Sequence, residues 1–411
     1  MRKALAHPSL RALWLGQGIS QFGNVFLSIA TFWILQLRSP YLLVAAGLVI
    51  SLPSLLAFLG GVLVDHFGAW RLMVLTDLFR ALAVGLVIAG VMVDPSLTPY
   101  LLLVALALVT LGGALFGPAE STLIPEVVTE DHLVAANGLM QGTYQTVNLA
   151  GSAIGGAALV VIGLGVILGV DAGTFVVSAV SLLFVSAASR GRAAPAETPA
   201  ISWRAIREGL QAAREMRWLT QTVPAIALTN LLFFGAFITM SYWVHHVLHS
   251  SVVSFGLLEA AFPAGAIAGY LAASSLANRP AWLVVSVSAA VQGALMITFA
   301  LWPSFWPELS LLVLSGVFSG ILNATAFAVI QRLIPDAVRG RVMGMMQTLF
   351  MMATPLGPLV AGGFFALHLS LLFLWLAAGA SMILLAVVWG FSRDVRSAMA
   401  EGIAGTGAKS A

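Results

Sequence analysis

Four carboxylates stand inside or at the edge of long apolar stretches of this 411-residue chain: Asp77, Glu120, Asp171 and Glu259. A charge left uncompensated in hydrocarbon costs at least about 2.5–3.5 kcal/mol, so each needs a counter-ion, water or a proton. They divide into two kinds. Asp77 and Glu120 lie near the basic ends of their stretches, close to Arg71 and Arg80. Asp77 and Arg80 are three residues apart, which puts them on one helical face and predicts a salt bridge. Asp171 and Glu259 lie deeper, with no basic residue expected at their level. A carboxylate in a low-dielectric site holds its proton tightly, which is the property of a proton carrier. Glu259 is the stronger candidate, because its stretch offers no other charge before Arg279. The competing reading for both is a hydrated carboxylate near an outer vestibule.

Uncharged polar groups could line a cavity beside these acids. Gln17, Gln21 and Asn24 recur at helical spacing, as do Tyr144, Gln145 and Asn148, and Asn230 and Asn323 add single amides. Each amide could equally bond a neighbouring helix. Phe22, Phe26, Phe233, Phe234, Phe237 and Trp243 offer stacking surface or packing. The adjacent His245 and His246 point two ways from a helix, so a metal site is not expected.

The elements that position these groups are membrane helices. Hydrophobic residues make up 60% of the chain and charged residues 9%, far below a soluble domain, and the mean hydropathy is +1.00. Residues 97–115 and 281–307 carry no charge, and each is long enough to cross about 30 Å of hydrocarbon as a helix. Apolar windows at 11–35, 42–64, 72–93, 98–122, 135–161 and 165–188, then 219–247, 252–276, 281–302, 308–331, 342–366 and 370–391, predict twelve spans. The basic residues Arg2, Lys3, Arg11, Arg71, Arg190 to Arg217, Arg279, Arg332, Arg339, Arg341, Arg393, Arg396 and Lys409 then fall on one side, with Arg38 on the other. By the positive-inside rule both termini are cytoplasmic. That distribution accounts for the net charge of +3 without nucleic acid as a partner. Cysteine is absent, which excludes disulfides and thiol chemistry.

Leu123-Ile124-Pro125-Glu126 returns as Leu333-Ile334-Pro335-Asp336, and Gly138-Leu139-Met140-Gln141 returns as Gly344-Met345-Met346-Gln347. A repeat about half the chain long predicts two related halves. The expected domains are an N-terminal bundle at 1–189, a linker with an amphipathic stretch at 190–217, a C-terminal bundle at 218–395 and a disordered tail at 396–411. Asp65, Arg71, Asp77, Arg80, Glu120 and Arg341 would then form a conformational latch between the halves on the cytoplasmic side.

Gly61-Val62-Leu63-Val64-Asp65-His66-Phe67-Gly68-Ala69-Trp70-Arg71 resembles the loop signature of the major facilitator superfamily, with His66 in place of an arginine. Phe116 to Pro125, Leu133 to Asn137, Arg339 to Gly344 and Asp77 to Ala81 are similar to the macrolide-efflux and enterobactin-exporter group within it. Gly142, Gly151 and the pair Gly155-Gly156 resemble the antiporter motif of drug exporters, with Ser152 where proline is expected; the second half keeps Gly357-Pro358. Small residues at these positions also serve plain helix packing. Those exporters often place an arginine in span 4, where this chain has Thr110-Leu111-Gly112-Gly113.

The resemblance implies an all-α membrane protein of twelve transmembrane helices in two six-helix bundles around a central cavity. It implies a monomeric, proton-coupled antiporter exporting amphipathic small molecules by alternating access, without a cofactor or metal. A lipid or lysolipid flippase of the same fold is the alternative, and a non-transporting membrane sensor or assembly partner the reading from another class. No Gly-x4-Gly-Lys-[Ser/Thr] loop is present for ATP, and no nucleophile–base pair marks an enzyme. Only two of the 19 basic residues are lysines, a bias that fits a GC-rich bacterial genome and a bacterial inner membrane.

Overall fold

The computed structural model describes residues 7–185, 216–334, 342–343, 346 and 352–397. Arg341, all but the last two residues of the expected linker and most of the expected tail lie outside the described residues. The chain separates into two compact units, Met1–Ala200 with Ser251–Ala260, and Ile201–Ser250 with Ala261–Ala411.

Among its described residues the first unit contains seven whole α-helices and the opening turns of the helix that starts at Val252. α1 (Pro8–Arg38) opens with proline at its first position, where the missing N–H is no loss, and closes with Arg38 in the last turn, where a cation suits the helix dipole. The second expected span is broken. α2 (Pro40–Ser51) gives way to a 3₁₀ segment (Leu52–Leu56) and then α3 (Ala57–Phe67), because Pro53 cannot donate to the ladder. Gly68, with φ of 79°, makes the tight turn into α4 (Ala69–Val93), a backbone angle that a side chain would strain. Asp94 ends α4 and accepts from the backbone N–H and hydroxyl of Ser96, which hold its carboxyl below the usual carboxylate range. α5 (Thr98–Val127) and α6 (Glu130–Val161) follow, the latter with Glu130 and Asp131 in its first turn, then α7 (Gly163–Leu182). α1 packs on α6 and α7, and α4 packs on α5 and α7.

The second unit contains α8 (Arg217–Ile238), α9 (Met240–His246), the later part of α10 (Val252–Ala273), α11 (Ala281–Leu301), α12 (Phe305–Leu333), α13 (Leu356–Ala366) and α14 (Leu371–Phe391). α11 packs on α12 and α14, and α8 packs on α13 and α14. α10 and α12 meet backbone to backbone. A Cβ added at Gly265 or Gly269 would strike the carbonyls of Val313 and Val317, and one at Gly316 or Gly320 would strike those of Phe262 and Ala266. Two interlocked small-x3-small pairs make that approach possible.

Among the described residues, nine helices are long and apolar enough to cross a membrane. The three remaining expected spans fall short for identifiable reasons. Pro53 splits the second. The fifth, α6, is long but carries polar groups along its first half. Of the eleventh, only the end is described, with α13 an 11-residue apolar helix.

Candidate functional site

One arginine and three carboxylates of the first unit, Arg80, Asp77, Glu120 and Asp171, gather in its interior. Arg80 and Asp77 are both buried, and Arg80 Nη1 lies 3.4 Å from Asp77 Oδ1, the one ion pair among the described residues. Asp77 Oδ2 accepts from Ser178 Oγ at 2.6 Å, and Ser178 accepts in turn from Gln17 Nε2 at 3.0 Å. A continuous polar chain therefore runs from α1 through α7 to α4. The Arg80 guanidinium lies between the rings of Phe116 and Phe175, 5.2 and 5.4 Å from their centroids. It also sits close enough to Asp171 and Glu120 to interact with both charges.

Two sequence expectations change here. Asp77 and Arg80 do not sit at the end of their helix. Because α4 begins at Ala69, Arg80 lies about 17 Å along it at 1.5 Å per residue, near mid-span. Asp171 is also not isolated from a base, since the long Arg80 side chain reaches its neighbourhood. Both carboxyl oxygens of Asp171 are buried without a hydrogen-bond partner. Asp65 and Arg71 are exposed on either side of the Gly68 turn and form no ion pair among the described residues.

The base missing from α5 is supplied by its neighbour. A Cβ at Gly112 would stand 2.6 Å from Arg80 Nε, and one at Gly113 would stand 3.0 Å from Nη2. The glycine pair on α5 is the space into which α4 delivers its arginine. α1 gives way in the same manner, since a Cβ at Gly23 would lie 2.5 Å from Asp171 Oδ1.

Arg80 and Glu120 reach the wall of a cavity of about 710 Å³ within the first unit. Its lining includes Gln17, Gln21 and Asn24 from α1, and Gln141, Thr143 and Tyr144 from α6. Trp14, also on the wall, donates to Thr143 Oγ1 at 2.6 Å. Asn24 Nδ2 leans on Gln21 Oε1 at 3.4 Å, while its Oδ1 is buried without a partner. Volume and mixed lining suit a drug-sized amphipathic ligand.

The other candidate residues lie elsewhere. Gln145 and Asn148 are not on this wall, and Asn148 donates to the Tyr144 carbonyl. Asn230 and Asn323, in the second unit, likewise bond carbonyls of their own helices, Ile226 and Ser319. Glu259 is half-buried and makes no hydrogen bond or ion pair among the described residues. Of the packing glycines, Gly151 meets Val25, Gly155 meets Ile29 and Gly156 meets the Val252 carbonyl, whereas Gly142 faces open space. Gly357 packs on Gly235, and the adjoining Pro358 is buried.

The sequence reading missed two features. Asp171, Thr174, Ser178 and Ser181 form one polar stripe on α7 at alternating spacings of three and four. The other is Glu308 in the first turn of α12, fully buried, whose Oε1 accepts from Trp243 Nε1 at 2.9 Å. Trp375 and Phe299 pack on the Trp243 ring, and Glu308 Oε2 has no hydrogen-bond partner. Trp243 is therefore a packing group rather than a ligand platform.

Residues 3–405 match the transmembrane secretion effector family. The chain is 23% identical over 404 residues to macrolide efflux protein A of Streptococcus pyogenes, covering 93% of this chain and 96% of that protein. It is 26% identical over 366 residues to the multidrug efflux pump Tap of Mycolicibacterium fortuitum, covering 84% and 86%. It is 28% identical over 346 residues to the lysophospholipid transporter LplT of Klebsiella pneumoniae subsp. pneumoniae, covering 80% and 81%. Among solved structures, a bacterial homolog of the human lysosomal transporter Spinster superposes with TM-score 0.66 at 15% identity, covering 96% of this chain and 97% of that one. A bacterial homologue of the iron transporter ferroportin superposes with TM-score 0.62 at 16% identity, covering 93% and 98%. An all-helical membrane fold, a buried charge network and a match along nearly its whole length together place the chain in the transmembrane secretion effector family of the major facilitator superfamily.

Proposed function

We propose that this membrane transporter exports amphipathic small molecules by alternating access, as a monomer of twelve spans with both termini cytoplasmic, in exchange for protons. The observation that carries the reading is the cavity wall of the first unit, where Arg80 and Glu120 stand beside a hydrogen-bonded chain of Gln17, Ser178 and Asp77. One guanidinium, paired with Asp77, is the base nearest to two further carboxylates, Glu120 and Asp171. Protons or a cationic substrate must balance the remainder. A proton arriving on Glu120 or Asp171 removes one claim on Arg80 and lets it close on Asp77. Loss of that proton draws the guanidinium back towards the vacated charge, reshaping the cavity wall. Proton occupancy and ligand occupancy are thereby linked through one side chain. Glu259, an acid with no partner among the described residues, is a second proton-carrying candidate. The macrolide and multidrug efflux relatives support export as the direction.

The test is transport of a panel of dyes and drugs in proteoliposomes under an imposed pH gradient. Substrate movement should follow the gradient, and Glu120→Gln and Asp171→Asn should flatten its pH profile. Movement indifferent to the gradient would overturn proton coupling. The second reading, a lysolipid transporter, is favoured by the relative LplT. A fluorescent lysophospholipid in the same vesicles decides it, because gradient-driven lipid movement without drug movement would replace the first reading.

A further inference from the structure

The second unit carries an unassigned open pocket at the helix ends opposite Glu308. It measures about 390 Å³ and is lined by Trp282 at the start of α11 and by Arg393, Arg396 and Ser397 just beyond α14. The Arg396 guanidinium lies over the Trp282 ring, 4.4 Å from its centroid, so its long side chain is already oriented. Arg393 stands three residues away, and both arginines are exposed. Asp394, between them in sequence, is the natural counter-ion but is drawn off. Its Oδ2 accepts from Gln221 Nε2 of α8 at 3.1 Å, and the same side chain's Oε1 accepts from Ser392 Oγ. Neither arginine has an ion-pair partner among the described residues.

The surroundings identify the anion. α14 is a strongly apolar span that ends at Phe391, two residues before Arg393. Leu384, Val387 and Phe391, at 47%, 46% and 79% exposure, form one outward stripe leading to that end. An apolar track that finishes at two uncommitted guanidiniums and an indole matches an acyl chain, a phosphate and the headgroup boundary in order.

We propose that this cavity binds the phosphate of an anionic phospholipid headgroup, with Arg393 and Arg396 donating to its oxygens and the lipid's acyl chain lying along the Leu384–Val387–Phe391 face. Arginine suits the role because its planar fork meets two phosphate oxygens at once.

The test uses the full-length protein in detergent, titrated with phosphatidylglycerol or phosphatidylcholine and read by native mass spectrometry. Phosphatidylglycerol should be retained about thirtyfold better than phosphatidylcholine, as two arginine contacts at about 1 kcal/mol each would give. R393Q/R396Q should remove that preference while eluting as the same monodisperse species. R393K/R396K keeps the charge but not the forks and should fall between. Trp282→Phe should weaken retention less than the double variant does. Arg217→Ala, at the start of α8 and off the cavity wall, should leave retention unchanged. Equal retention of the two lipids by the wild-type chain would overturn the proposal. So would an Arg217→Ala loss as large as that of the double variant, since general surface charge would then explain the binding. If inorganic phosphate alone stabilises the protein as much as phosphatidylglycerol does, the ligand is a free anion and the lipid assignment falls. None of these readouts depends on transport or on the direction of export.

Discussion

Arg80 is the side chain on which the first unit turns. It is buried, flanked by two rings, paired with Asp77 and within reach of two more acids. Replacing it with alanine leaves Asp77 as an uncompensated buried charge, and breaking such a pair costs about 3–5 kcal/mol. Arg80→Ala should therefore lower the thermal unfolding temperature in detergent and abolish transport. Arg80→Ala/Asp77→Asn should recover much of the stability without recovering transport. Recovery of both would mean the pair is structural only. Glu308 allows a contrasting prediction in the second unit. Glu308→Gln keeps an oxygen for Trp243 Nε1 and should leave stability near wild type, whereas Glu308→Leu orphans that buried N–H at a cost of about 1–3 kcal/mol. Thermal unfolding of the two variants separates hydrogen bonding from charge.

Helices meet in this protein where side chains have been removed. α1 clears Asp171 only through Gly23, and α5 receives Arg80 only through Gly112 and Gly113. A methyl group at Gly112 has nowhere to go but against the guanidinium, so Gly112→Ala should disturb the charge network while leaving the span apolar. The expected outcome is a protein that inserts and purifies but transports several-fold less, measured in the same vesicles as the wild type. Gly85 on α4 faces open space and is the control, since Gly85→Ala should transport normally. This is also the scale at which sequence reading succeeds and stops. Long apolar windows and basic loops disclose the spans, and the three-residue spacing of Asp77 and Arg80 discloses their pair. The depth of that pair depends on where α4 begins, which the Gly68 turn decides, and a start three residues earlier than expected sets both groups about 4.5 Å further along the helix. The stripe Asp171, Thr174, Ser178 and Ser181 was present as a pattern, but its meaning depends on α4 and α1 packing against that face of α7. Glu308 sits at the edge of an apolar window, where an acid reads as a solvated loop residue until it is seen fully buried and bonded to Trp243, itself packed on Trp375 and Phe299.

At the scale of the whole molecule the proposed cycle requires the first-unit cavity to open to one side of the membrane at a time. Asp65 and Arg71 flank the Gly68 turn, exposed and without an ion pair among the described residues, and are therefore available to partners that change through the cycle. If Asp65 helps hold the cytoplasmic entrance shut in one state, neutralising it should shift the population towards cytoplasmic opening. The chain contains no cysteine, so one introduced thiol reports alone. Ser121, exposed on the cavity wall near the end of α5, is the position to label. In a Ser121→Cys background, a membrane-impermeant maleimide should react faster in inverted vesicles than in right-side-out ones, consistent with cytoplasmic termini. Adding Asp65→Asn should raise the inverted-vesicle rate further, because a ligand-free transporter would spend more time open to that side. A rate that Asp65→Asn leaves unchanged removes Asp65 from the gate. Faster labelling in right-side-out vesicles would instead reverse the orientation assigned from the basic residues, and would leave the charge network around Arg80 as it stands.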